Sequence, residues 1–194
     1  MYEHLVKYFN GYATTRLEEK EIELVSSVFI PKRFRKKQFF LQEGEVCRHG
    51  AFIVKGAMRK YSVDEKGEEH TIQLLLENWW ANDWESMSKG VPSKYFIDAW
   101  EETEALLATK ENMYQLIRQI PTVTEWSERM RERHFIAEQN RLNAAISLSA
   151  EQRYHELEKA YPEFLQRFPQ HVIASYLGIT KDTLSRIRHK ELKK

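Results

Sequence analysis

The chain has 194 residues, of which 42% are hydrophobic and 30% charged, a composition with enough apolar chain for one or two packed domains. Its 30 Lys+Arg against 29 Asp+Glu leave a net charge of +1, which excludes a globally basic nucleic-acid coat and an acidic disordered tail. The single cysteine, Cys47, excludes an internal disulfide, and it excludes a Cys-ligated iron–sulfur cluster or multi-cysteine zinc site within one chain.

The stretch to about Ser27 reads helical. Thr15 followed three residues later by Glu18 has capping-box spacing, and Leu17, Ile22, Leu24 and Val25 supply apolar positions after it. From about Val28 to Lys110 the chain changes character. Short β-branched and aromatic runs (39–41, 51–55, 57–63, 71–76) are punctuated by Gly44, Gly50, Gly56 and Gly67. Asp64-Glu65-Lys66-Gly67 between two such runs is a hairpin signal. Residues 95–100 and 104–110 read as two further strands, so a small antiparallel barrel or roll is expected.

Pro121 opens a long stretch without Gly or Pro that reaches Tyr161. Val123, Trp126, Met130, Ala137 and Ala144 fall at heptad-like steps. A second apolar seam holds Phe135, Leu142 and Ile146. A helix with two apolar stripes needs two partners, and the expected pair is the roll and a second copy of the helix. A hinge is expected near Ser149-Ala150, where Ser149 and Gln152 form a second capping-box pattern.

The segment Gln170–Ile187 (QHVIASYLGITKDTLSRI) reads as a helix-turn-helix. Ala174 is small where a second helix crosses, and Gly178 sits where the turn needs positive φ. Ile173, Leu177, Ile179, Leu184 and Ile187 form the expected wedge, and Thr180 caps the second helix. Pro169 suits the first turn of the preceding helix. The second helix then offers Lys181, Asp182, Ser185, Arg186 and His189 to a major groove. Arg186 suits guanine, Lys181 guanine or phosphate, and Asp182 a cytosine amino group. Thr180, Arg188, Lys190 and the last lysines, Lys193 and Lys194, suit phosphate. From residue 150 onward nine Lys+Arg stand against six Asp+Glu, which agrees with a DNA-facing end.

In order along the chain, these residues resemble the cAMP receptor protein/FNR (Crp/Fnr) family of bacterial transcription regulators, and within it the shorter members common in Bacteroidetes. Gly44-Glu45 followed by Ala51–Arg59 (AFIVKGAMR) is similar to the family's roll segment, and Asp64–Glu69 (DEKGEE) to its hairpin. A long helix follows, and Lys181–Ile187 (KDTLSRI) is similar to the family's recognition helix. The resemblance implies an α+β architecture. A cyclic-nucleotide-binding-like antiparallel β-roll (1–118) leads to a long dimerisation helix (119–149) and a helix-turn-helix DNA-binding domain (150–194). It implies a homodimer on a palindromic double-stranded operator, with Lys181, Asp182 and Arg186 reading bases. The family often adds a β-hairpin wing, but residues 151–168 hold no strand-like run and the chain ends seven residues after Ile187. A purely helical DNA-binding domain is therefore expected. Contact with RNA polymerase, which activation would need, has no readable signature.

The effector site departs from the family's pattern. Its Gly-Glu pair falls on Ala81 and Asn82, and its phosphate-binding Arg-Ser pair on Ser93 and Lys94. The guanidinium fork is missing, and Ala81 adds a Cβ where backbone should approach the ligand. cAMP is not the expected effector, and any effector is an unknown small molecule. Trp79, Trp80 and Trp84, with Asn82, Ser93 and Lys94, either line a pocket for a more apolar ligand or fill the vacated space as core. Asp83, Glu85 and Lys94 are expected to be solvated or locally paired.

Other chemistries find little support. No HExxH, P-loop, Gly-x-Ser-x-Gly or dinucleotide fingerprint occurs, and the seven histidines lack metal-ligand spacing. Arg48 beside Cys47 would lower the thiol pKa and leave room for redox sensing. No apolar run approaches the ~18–20 residues of a membrane span. The opening MYEHLVKYFN lacks the apolar stretch of a signal peptide, so the expected compartment is the cytoplasm. A non-DNA alternative is a small-molecule-sensing module whose helix-turn-helix contacts protein.

Overall fold

The computed structural model describes residues 1–191. The chain divides into two compact units, residues 1–60 with 75–134, and residues 61–74 with 135 onward.

In the first unit, α1 (Tyr2–Tyr12) and α2 (Glu19–Val28) precede the strands. Helix α2 starts later than the Thr15–Glu18 spacing predicts. The Thr15 hydroxyl lies 2.9 Å from that of Thr122, and Glu18 N–H instead donates to Glu21 Oε2 at 2.8 Å. The threonine is thus engaged across the fold, and the reciprocal bond forms one turn on.

The strands are β1 (Ile30–Phe34), β2 (Phe39–Leu41), β3 (His49–Lys55), β4 (Met58–Val63), β5 (Glu69–Leu75), β6 (Trp80–Ala81), β7 (Phe96–Ala99) and β8 (Thr103–Thr109). They form two four-stranded sheets, β1-β8-β3-β6 and β2-β7-β4-β5. The pairs β1–β8, β2–β7, β3–β6 and β3–β8 are antiparallel, with Ala51 opposite Leu107 and Phe52 opposite Leu106. Because side chains alternate across a strand, neighbouring residues enter two different cores. Ala51, Ile53 and Leu107 join Met58, Leu75 and Ile97 between the sheets. Phe52 and Leu106 point to the other face, where Leu5, Phe9, Val25 and Leu116 cover them.

Helices α4 (Lys110–Gln119) and α5 (Pro121–Ser147) complete that outer layer. The first turns of α5 bury Val123 and Trp126, with Met130 packed beside them. Residues 131–143 are then all exposed. The turn between β3 and β4 depends on Gly56, at φ +103°. A Cβ there would lie 2.5 Å from Thr103 Oγ1 and 2.6 Å from the Glu102 carbonyl oxygen, so no other residue fits.

The second unit holds α6 (Ala150–Ala160), α7 (Pro162–Arg167), α8 (Gln170–Leu177) and α9 (Lys181–Glu191). Ser149 caps α6, and the reciprocal bond from Ser149 N–H to Gln152 Oε1 is 2.8 Å. Tyr154, Leu157, Phe164, Phe168, Ile173 and Leu184 are buried in this unit. The hairpin around Gly67 belongs to the same unit. Its turn is closed by the Asp64 carboxylate, which accepts from Lys66 and Glu68 N–H, each at 2.9 Å. Ser175 Oγ on α8 accepts from Thr71 N–H and donates to the Glu69 carbonyl, both at 2.8 Å, like a paired residue of a neighbouring strand. Arg141 stacks 4.4 Å over the Tyr176 ring and donates to the Ile72 carbonyl.

Candidate functional site

Two sets of sequence-predicted residues concern function, one in each unit. In the second unit, α8 and α9 are joined by a turn that the sequence dictates locally. Gly178 adopts φ +66°, ψ +38°. Its N–H donates to the Ser175 carbonyl, and Ile179 N–H donates to the Ala174 carbonyl at 3.0 Å. This is the Schellman arrangement that ends a helix with glycine. Thr180 Oγ1 then accepts from Thr183 N–H at 3.2 Å and caps α9. Ala174, Leu177, Leu184 and Ile187 are buried between the helices. Ile179, read from sequence as part of the wedge, is only half-buried.

On the outer side of α9, Lys181, Asp182, Arg186, Arg188, His189 and Lys190 are exposed, as is Thr180, and Ser185 is half-buried. Among the described residues, Arg186 makes only long bonds, 3.4 Å each, to the Asp182 carbonyl and to Thr183 Oγ1. Such bonds yield readily to a better acceptor. Lys190 differs from its neighbours, because its ammonium sits 3.0 Å from Glu151 and ties α9 to the start of α6. Lys193 and Lys194 lie outside the described residues.

In the first unit, the predicted effector residues do not converge as a set. Trp79 packs against the core between the sheets. Trp80 belongs to the outer core, with ring centroids 5.4 Å from Phe52 and 5.5 Å from Trp126. Trp84, on the short helix α3 (Trp84–Lys89), is 57% exposed. The three indoles therefore neither line one pocket nor jointly fill one, since they leave the chain on different faces. Lys94 is exposed as well.

Ser93 and the segment 81–83 do meet. Ser93 Oγ donates to Asp83 Oδ2 at 2.7 Å, and both residues are buried. Sequence reasoning missed the third member, Lys60. Its buried ammonium lies 3.6 Å from Asp83 Oδ1, donates to the Asn82 carbonyl at 3.3 Å and stands 4.2 Å above the Tyr95 ring. A signal was present. Arg59 and Lys60 are adjacent in a strand, so they point to opposite faces and cannot both face solvent if either face is covered. Arg59 pairs with Asp98 on one face, and Lys60 with Asp83 on the other.

Cys47 borders this cluster and accepts from Asp83 N–H at 3.4 Å. Burial pushes its thiol pKa up, reversing the lowering expected from Arg48, which is exposed. Cys47 is only 2% exposed. We expect it to resist alkylation in the native protein and to react fully once urea unfolds the chain, followed by mass spectrometry over time. Rapid native alkylation would show an open, ionised thiol instead.

Residues 31–120 match the model of the cyclic nucleotide-binding domain family. The roll is a cyclic nucleotide-binding-type domain, and the chain has the Crp/Fnr fold. A mutant CooA from Carboxydothermus hydrogenoformans shares 19% identity, covering 91% of this chain and 81% of that one, with a TM-score of 0.71. The c-di-GMP-responsive global regulator CLP from Xanthomonas campestris shares 11%, covering 91% and 92%, with a TM-score of 0.70. A transcriptional regulator of the Crp/Fnr family from Eubacterium rectale shares 16%, covering 91% and 85%, with a TM-score of 0.66. No curated protein matches the chain. Among the described residues no helix is long and apolar enough to cross a membrane.

At Ser93, one of the positions that the resemblance aligns with an effector's phosphate, the hydroxyl is bonded to the Asp83 carboxylate, and buried Lys60 pairs with that carboxylate. A phosphate brought there would meet Asp83 as a like charge.

Proposed function

We propose that this chain is a sequence-specific DNA-binding transcription regulator, acting as a homodimer on a palindromic site. The observation that carries this reading is the α8–turn–α9 unit. A glycine-closed turn and a threonine cap set α9 on a packed base, and Lys181, Asp182 and Arg186 project from its first two turns into solvent. Such residues reach base edges when a recognition helix enters the major groove. Arg188 and His189 lie further along and suit the phosphate backbone. The solved proteins with this fold include a global regulator and a transcriptional regulator, which supports the same role. The proposed division is a roll domain over 1–118, a dimerisation helix over 119–149 and the DNA-binding domain from 150.

The test begins with selection of a random duplex library by the purified protein, which should enrich a two-fold symmetric sequence with half-sites about one helical turn apart. Arg186→Ala should then weaken binding to that sequence by about 1–3 kcal/mol and relax preference at one base position per half-site. Enrichment of no sequence would favour a helix-turn-helix used for protein contact. Full preference in the Arg186 variant would remove that residue from base reading.

A further inference from the structure

We infer that Asp83 is a built-in anion. Its carboxylate takes the place in the roll that an effector's phosphate would otherwise hold, so the roll is closed to cyclic nucleotides and needs none. Three observations and the family resemblance carry this. Asp83 precedes α3 at its N-cap position, where an aspartate ordinarily accepts a backbone N–H of the first turn, yet it makes no such bond. The carboxylate is instead spent on Ser93 Oγ at 2.7 Å and on the Lys60 ammonium at 3.6 Å. All three side chains are buried, so the groups that would recognise an external anion already hold an internal one. The bond joins Asp83, the residue after Ala81-Asn82, to Ser93, and the Crp/Fnr resemblance aligns Ala81-Asn82 and Ser93-Lys94 with the ribose and phosphate contacts.

The chemistry is that of a small oxyanion held by one hydroxyl and one ammonium, with an aromatic ring beneath the cation. Removing the carboxylate should leave a cationic socket. A carboxylate or phosphate from solution would then be attracted to it, because a buried ammonium that has lost its counter-charge is costly. As regulation, the inference rests on the DNA-reading proposal above. Its test does not, because stability is read without DNA.

The experiment compares thermal midpoints of the full-length wild type, Asp83→Gly and the double variant Lys60→Gln/Asp83→Gly. Each is measured in sodium chloride and in sodium formate of equal ionic strength, and with millimolar cAMP. The wild type should be indifferent to formate and cAMP. Asp83→Gly should lose about 10 °C in chloride and regain at least half of the loss in formate. The double variant should show no formate effect. A wild-type midpoint that rises with cAMP overturns the inference, as does an Asp83→Gly variant that responds alike to formate and chloride. Should Asp83→Gly fail to fold, calorimetric titration of wild type with cAMP decides. Absence of binding heat and of competition with any anion upholds the closed socket, and saturable binding overturns it.

Discussion

Asp98→Ala should destabilise the protein by about 3–5 kcal/mol, the cost of removing one member of a buried ion pair. Arg59 Nε and a terminal guanidinium nitrogen donate to the two Asp98 oxygens at 3.0 and 3.1 Å, a bidentate fork. The two side chains are 8% and 6% exposed, so water does not replace the lost acceptor. The guanidinium also stands 5.1 Å from the Trp100 ring centroid, which fixes its plane and prevents it from swinging outward. Replacing both partners, Arg59→Met with Asp98→Leu, should restore most of the loss, because no charge then remains to be desolvated. Urea unfolding of the three proteins at constant pH measures this directly. A double variant no more stable than Asp98→Ala would mean that shape, not charge, is what the pair contributes.

The pair also marks what the sequence made legible and what it hid. The turn of the helix-turn-helix is readable because its causes are local. Gly178 is needed for a positive φ and Thr180 for a cap, and both act within a few residues of themselves. The strands are readable because β-branched and aromatic runs lie between glycine turns. What lies opposite a strand residue is not readable that way. Asp98 and Asp83 are respectively 39 and 23 positions from the cations they neutralise, and only the order β2-β7-β4-β5 and the loop before α3 bring them close. The same limit explains the tryptophans. Trp79, Trp80 and Trp84 are neighbours in sequence, but a two-residue strand, β6, and the start of α3 send them to inner core, outer core and solvent. Thr15 was a plausible cap on spacing alone and lost to a hydroxyl 107 residues away.

The exposed half of α5 yields the other large expected effect. Phe135, Ile136, Leu142 and Ile146 are 64%, 50%, 57% and 78% exposed, on the half of the helix beyond Val123 and Trp126, which the first unit covers. Large apolar side chains at this spacing, left in water by their own chain, are the pattern expected of a helix that pairs with a second copy. In a two-fold interface each residue is buried twice, once per protomer. At ~1.5–3 kcal/mol per buried large aliphatic side chain, one position contributes roughly 3–6 kcal/mol to the dimer. Leu142→Glu should therefore raise the dimer dissociation constant by at least about 100-fold, and it adds a carboxylate that the interface must desolvate. Sedimentation should show a folded monomer at micromolar concentration. Affinity for a palindromic duplex should collapse towards that of a single half-site, while the circular dichroism spectrum stays unchanged. The residue being exposed within its own chain makes that separation possible, since a substitution there has no intrachain core to disrupt. A variant that stays dimeric would move the interface off this stripe.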